Sequence, residues 1–221
     1  MKKDFVPEPT TMPVDLEKWK KRLNLSNFIN TYYQYRDLQL CQDVKSILII
    51  GPGQGLDTQV FKWKGYKVTT FDIDSTFTPD YQGSVHNMAM FSDKQFDAVI
   101  ASHVLEHLAE PYLDVSLKEI ARIGKFALIY LPVAGRHFQI RLLPGVKGID
   151  VSFIFDLFSY FHKPDGNTPR YMSNQHYWEI GMRGFRVSEM TKRFSKFFEI
   201  LSSYRNKDWN PSHNFILKSL N

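Results

Sequence analysis

The sequence predicts an α/β fold, a doubly wound and mostly parallel sheet of about seven strands. Three observations predict it. Short, wholly apolar runs such as Ser46-Ile47-Leu48-Ile49-Ile50 read as strands buried on both faces. These runs alternate with stretches of helical periodicity, as strands joined by helical crossovers do. The first run also ends in a glycine-rich turn, Gly51-Pro52-Gly53-Gln54-Gly55, that opens the next helix.

The elements follow in order. Residues 1–13 carry Pro7, Pro9 and Pro13 and read as an arm. From Pro13 to Asp43 the apolar residues Leu16, Trp19, Leu23, Leu25, Phe28, Ile29, Tyr32 and Tyr33 recur at helical spacing, with Asn24 or Ser26 able to cap a second helix. After the Ser46–Ile50 strand, residues 56–64 are helical and Gly65 ends them. Tyr66–Phe71 is β-branched and aromatic, a second strand, with a weaker one near Tyr81–Val85. Phe96–Ala101 and Phe126–Leu131 are further strands flanking a helical Leu113–Ile123. Residues 132–175 interrupt this rhythm with four prolines and the aromatic stretch Phe153–Phe161, a long insertion after the fifth strand. Insertions of this length are usually functional, and this one reads as a lid. Its aromatic stretch reads as an amphipathic helix packed on the core or another subunit, or as the lid itself or a membrane-contacting helix. Gln175–Gly181, a helical Val187–Lys196 and two strands, Phe197–Tyr204 and Asn214–Leu220, complete the chain. The expected organisation is a single domain over 1–221. It comprises an N-terminal arm and helices (1–44), a ligand-binding core (45–131), a lid (132–175) and a C-terminal helix and strands (176–221).

Composition narrows the function classes. A chain of 221 residues should bury about 70 % of its surface, enough for a core without disulfides. The hydrophobic fraction of 43 % argues against disorder. No apolar run approaches the roughly 20 residues of a membrane span, and no apolar segment follows Lys2-Lys3 as in a signal peptide. The single cysteine, Cys41, excludes a disulfide framework and a multi-cysteine zinc site. The reading is cytoplasmic. Residues 1–110 hold 12 basic and 14 acidic side chains, and residues 111–221 hold 16 and 9. That basic half suits an anionic partner or is a solvated surface.

The glycine turn lets backbone approach a ligand, and the helix after it offers free N–H groups. Asp72 follows 21 residues after Gly51, at the next strand's end, where a carboxylate can accept from a ribose diol. The dinucleotide fingerprint wants Gly or Ala where Leu56 stands, so the spacing is G-x-G-x-G. Three ordered segments, Leu48–Gly55, Val68–Asp74 and Phe96–Leu108, resemble the class I S-adenosylmethionine-dependent methyltransferases, specifically those of the type 11 kind. The resemblance covers roughly residues 45–135 and implies a Rossmann-like fold with S-adenosyl-L-methionine as cofactor. It implies that Gly51, Gly53 and Gly55 face the cofactor's methionine end, Asp72 holds the ribose and Ile73 lies on the adenine. Ser84 and Val85 would meet the adenine edge, and Ala101, Ser102 and His103 would line the wall near the sulfonium. The family usually carries an acid two residues before the first glycine, where this chain has Ile49; Arg36 or Tyr33 could substitute.

The same residues admit rival readings. His103, Glu106 and His107 spell H-x-x-E-H, a zinc-peptidase pattern whose histidines would share a helix face. Such sites need a third protein ligand, and the family segment already accounts for these residues, so no metal is expected. Cytosine-C5 chemistry needs a cysteine beyond the fourth strand, and Cys41 precedes the first; amino-methylating DNA enzymes carry Pro-Pro-aromatic where Ser102-His103-Val104 stands. DNA is therefore unlikely as a substrate, while RNA and a homodimer stay open. His176, Tyr177, Trp178 and Glu179 gather just after the insertion and suit acceptor recognition, with His103, His107, His176 and Glu179 as candidate bases. His213 and Asn214 are weaker candidates. The expected reaction is methyl transfer to an O or N atom of a small-molecule or glycan acceptor. The alternatives are an NAD(P)-dependent oxidoreductase and a non-catalytic partner subunit of the same fold.

Overall fold

The computed structural model describes residues 24–142, 149–155, 176–206, 208 and 212–220. The proline-rich arm, the helical reading of residues 13–23, and residues 143–148 and 156–175 of the insertion lie outside the described residues.

The chain enters as helix α1, Leu25–Leu38, capped at Asn24 by a reciprocal pair of bonds with Asn27. Strand β1, Ser46–Ile50, leads through the glycine turn into α2, Leu56–Trp63. Then come β2, Lys67–Asp72, the two-residue β3, Tyr81–Gln82, and β4, Phe96–Ser102. Helix α3, Glu110–Ile123, starts with a proline in its first turn and runs into β5, Gly124–Pro132. An antiparallel hairpin follows, β6 (Arg136–Leu142) and β7 (Ile149–Phe155). Helix α4, Val187–Phe194, and strands β8, Phe198–Arg205, and β9, Ser212–Ser219, complete the described elements.

Seven strands form one sheet in the order β3-β2-β1-β4-β5-β9-β8. The pairings from β3 through β5 are parallel, and β9 is antiparallel to both β5 and β8. The chain works outward from β1 to β3 and then returns to β4, so the topological switch lies between β1 and β4. The carboxyl ends of these two strands bound the crevice where such sheets hold ligands.

Period-two alternation divides the core. Leu48, Ile50, Val99, Ala101, Ile129 and Leu131 face one apolar cluster with α3 and α4. Ile47, Ile49, Ala98, Ile100, Leu128 and Tyr130 face the other, with α1 and Phe61 of α2. Both faces being covered explains why these strands lack polar alternation.

Two expectations need correction. Residues 153–155 belong to β7, not to an amphipathic helix; Phe153-Ile154-Phe155 pairs with Phe138-His137-Arg136. Residues 156–161 of that stretch lie outside the described residues. Nor do His103 and His107 share an α-helix face: only Leu105–His107 is helical, a single 3₁₀ turn, and His103 precedes it with φ 56°. Among the described residues no helix is long and apolar enough to cross a membrane.

Candidate active site

The turn after β1 places Gly51 (φ 67°), Gly53 (φ 50°) and Gly55 (φ 73°) in the left-handed region that favours glycine. A Cβ on Gly51 would come within 2.6 Å of Val104 Cγ2, so the turn packs directly against the segment leaving β4. A Cβ on Gly55 would meet nothing within 4 Å. That open space, together with an α2 N-terminus whose N-cap Gly55 brings no capping side chain, forms a cradle lined by backbone N–H groups.

Asp72 ends β2 beside it. Burial pushes its carboxyl up, although the Asp74 amide donates to it at 2.9 Å. Asp74 is buried, and its carboxylate accepts from Thr76 N at 2.8 Å, capping a short 3₁₀ turn. Asp74 is thus engaged in its own turn, leaving Asp72 as the carboxylate at the strand end. Ile73 is half-buried, and its carbonyl accepts from Gln82 Nε2. Ser84 Oγ pairs with His86 Nδ1 at 2.8 Å. Val85 and Ala101 are buried at 4 % and 1 % exposure inside the apolar core, so only their main chain can serve a ligand. Ser102 Oγ meets the Asn30 side chain of α1 at 3.0 Å. This contact brings α1 over the end of β4, and sequence periodicity gave no sign of it.

Ile49, where an acid was expected, is 1 % exposed and fills the core. Both suggested substitutes already hold partners within the fold. Tyr33 donates to Asp208, and Arg36 pairs with Asp37 and Tyr204. The carboxylate near the turn is Asp57, in the first turn of α2, whose carboxyl burial pushes up to about 6 even though the Thr58 amide donates to it.

A second group of side chains converges where the chain leaves β4. His103 Nδ1 lies 3.5 Å from Glu106 Oε1, and His176 Nε2 lies 3.9 Å from the same oxygen. The His107 and His176 rings are 4.9 Å apart. His176 Nδ1 and Glu179 Oε1 are 2.7 Å apart. Burial pushes the Glu106 carboxyl up, but the three surrounding histidines more than offset it and leave it below the usual range. Burial lowers the His176 imidazole, yet Glu179 and Glu106 together raise it.

All four expected bases, His103, His107, His176 and Glu179, therefore meet, although they come from both sides of the insertion. The segment 177–180, which returns alongside the end of β5, makes this possible. Ile180 N donates to Pro132 O, Ala134 N to Ile180 O, and Tyr177 N to Glu106 O. Trp178 is different: fully buried, it donates Nε1–H to Leu108 O and stacks on Phe185, which makes it a core residue. His213 and Asn214 also serve the fold, pairing with Ser203 and Tyr204 on β8. Glu106 was visible in the H-x-x-E-H pattern but given no role; it is the residue around which the histidines gather.

Residues 48–126 match the family model described as a methyltransferase domain. That segment, from β1 into β5, is what this chain shares with methyltransferase domains. Among solved structures, the fold resembles that of a protein from Pyrococcus horikoshii OT3 at 13 % identity, covering 90 % of this chain and 93 % of that one with a TM-score of 0.57. An S-adenosylmethionine-dependent methyltransferase from Clostridium acetobutylicum ATCC 824 aligns at 10 % identity over 94 % and 93 %, TM-score 0.55. One from Archaeoglobus fulgidus aligns at 14 % over 92 % and 97 %, TM-score 0.55. No curated protein matches the sequence. The glycine cradle, the carboxylate at the end of β2 and the β1/β4 crevice lie together at the carboxyl ends of the strands, an arrangement into which S-adenosylmethionine fits.

Proposed function

We propose that this chain methylates an oxygen or nitrogen atom of a small-molecule or glycan acceptor, using S-adenosylmethionine. One observation carries the reading: the glycine cradle and the His–Glu cluster adjoin, because Val104, between His103 and Glu106, abuts Gly51. The cofactor side and the acceptor side thus share one wall.

When bound, S-adenosylmethionine supplies a methyl group on a sulfonium leaving group. Gly51, Gly53 and Gly55 would hold its methionine end, and Asp72 would hold the ribose hydroxyls. Ile73 and Ser84, with the main chain of Val85, would border the adenine; the main chain of Ala101 with Ser102 would line the wall near the transferred group. Alignment of the reacting atoms can account for about 7–11 kcal/mol of such a barrier. The acceptor must also lose a proton as its new bond forms. His103 is best placed to take it: it leaves the end of β4, its side chain is 22 % exposed, and Glu106 steadies it from behind. His107, His176 and Glu179 lie behind this pair.

Calorimetric titration with S-adenosylmethionine, S-adenosylhomocysteine and NAD tests the reading. Both S-adenosyl ligands should bind and NAD should not; the reverse result removes the methyltransferase reading. For the base, His103→Asn keeps a residue that tolerates positive φ. Turnover of a hydroxyl- or amine-bearing sugar found by screening should fall by about 10²-fold. Unchanged turnover would exclude His103.

A further inference from the structure

Glu106 poses a problem that the methyltransferase core does not explain. Its side chain is wholly buried, and neither carboxylate oxygen accepts a hydrogen bond of good geometry, the contacts being His103 Nδ1 at 3.5 Å and His176 Nε2 at 3.9 Å. Buried carboxylates normally do. Among the described residues the positive partners near it are the histidines, and their geometry is specific.

His176 is oriented by Glu179. With Nδ1–H donated to Glu179 Oε1, the lone pair of neutral imidazole sits on Nε2, which lies 3.9 Å from Glu106 Oε1. Nε2 and Oε1 thus face each other beyond hydrogen-bonding distance, a spacing that suits a positive charge held between them. A proton could supply that charge, and so could a cation. The third residue favours the cation. Glu106, His107 and His176 each bring a ligand atom within 4.8 Å of the other two, the one such group among the described residues. Metal–ligand bonds of about 2.1 Å in a tetrahedron set donors roughly 3.4 Å apart, so modest side-chain closure would complete the site.

We propose that Glu106, His107 and His176 bind a divalent transition-metal ion, with Glu179 orienting His176 from outside the coordination shell. Two imidazoles and one carboxylate suit zinc, iron, cobalt or manganese better than magnesium or calcium, which prefer all-oxygen sites. A carboxylate behind a ligating histidine is the usual outer partner of such a ligand. Peptidase-type sites need a third protein ligand beyond the H-x-x-E-H segment; here His176 provides it from 69 residues further along the chain. Three protein ligands leave coordination positions open. An acceptor bearing an oxygen donor fits those positions, a step that rests on the methyltransferase reading, whereas the cation site does not.

The test uses the full chain after dialysis against a chelator. Cobalt(II) is titrated in, followed by visible absorption and calorimetry, and displaced with zinc. One equivalent should bind with visible bands of an N/O-ligated ion. His176→Ala and Glu106→Gln should each weaken binding by about 100-fold or more, and Glu179→Gln by about 10–100-fold. Should Glu106→Gln fail to fold, His107→Ala replaces it, since His107 is only partly buried. Asp72→Ala should leave cobalt affinity unchanged. Cobalt binding no tighter to the parent than to His176→Ala overturns the proposal and leaves a protonated His176 as Glu106's partner. One-to-one cobalt binding without binding of S-adenosylhomocysteine would uphold the cation site while the methyltransferase reading fails.

Discussion

Adding one methyl group at each end of the glycine turn separates its structural role from its ligand role. Gly51 and Gly55 both have positive φ, so alanine at either costs about 1–2 kcal/mol in backbone strain. They differ in what the new Cβ would meet. At Gly51 it would come within 2.6 Å of Val104 Cγ2, against an optimum of about 3.5–4.0 Å. Overpacking of this kind adds about 1–3 kcal/mol, for a total of about 2–5 kcal/mol. At Gly55 it would meet nothing within 4 Å, so the cost should stay near the strain alone. Urea unfolding followed by far-ultraviolet circular dichroism measures both. Affinity should respond differently: a Cβ at Gly55 fills the space a ligand needs, so S-adenosylhomocysteine binding should weaken by about tenfold or more, equivalent to about 1.4 kcal/mol. Gly55→Ala with unchanged affinity would show that the cofactor does not approach this turn. Equal destabilisation by the two substitutions would show that Val104 yields freely and that the close approach of turn and β4 exit is not constraining.

Two further outcomes follow from single side chains. Asp72→Ala should weaken S-adenosylhomocysteine binding by about 10–150-fold, the worth of about 1.5–3 kcal/mol for charge-assisted bonds. Asp74→Ala should instead cost about 1 kcal/mol of stability by removing the cap on Thr76 N and leave affinity unchanged, and the opposite pattern in calorimetry would reverse the two roles. Burial, with Arg205 nearby, lowers the His213 imidazole from 6.5 to about 4. A base lowered in this way binds fewer protons folded than unfolded, so its stabilisation is complete above about pH 6.5 and is lost as pH falls toward 4. The shift corresponds to about 3 kcal/mol. His213→Gln should flatten the fall in unfolding free energy across that window, and an unchanged slope would place the acid sensitivity elsewhere.

The sheet was legible because parallel strands covered on both faces read as uninterrupted apolar runs, and Ser46–Ile50, Phe96–Ala101 and Phe126–Leu131 do so. The glycine turn was legible because glycine marks positive φ. The seam between helix and sheet was not. Asn30 reaches Ser102 across 72 positions, and no local pattern announces that contact. The resemblance implied that Val85 and Ala101 meet the cofactor, but Ala101 on β4 and Val85 in the turn after β3 both bury their side chains in the core. Trp178 sat among polar neighbours and was read with them. Its burial depends on Phe185 and Leu108, both brought to it by the fold. Phe153–Phe155 shows the limit of short aromatic runs, whose period does not tell helix from strand.

The exit from β4 explains why the two halves of the site meet at all. His103 adopts φ 56°, a conformation that costs a non-glycine residue about 1–2 kcal/mol, yet its amide still donates to Tyr130 O. That turn ends the strand without breaking its pairing to β5 and starts the single 3₁₀ turn carrying Glu106 and His107. An α-helix beginning at His103 would have put His103 and His107 on one face, as the spacing alone suggests. The left-handed residue breaks that register. His103 is left partly exposed at the strand end while Glu106 is wholly buried, where His176 can approach from beyond the insertion. Strain at one residue thus distributes an ordinary five-residue motif between a partly exposed position at the strand end and a buried cluster behind it.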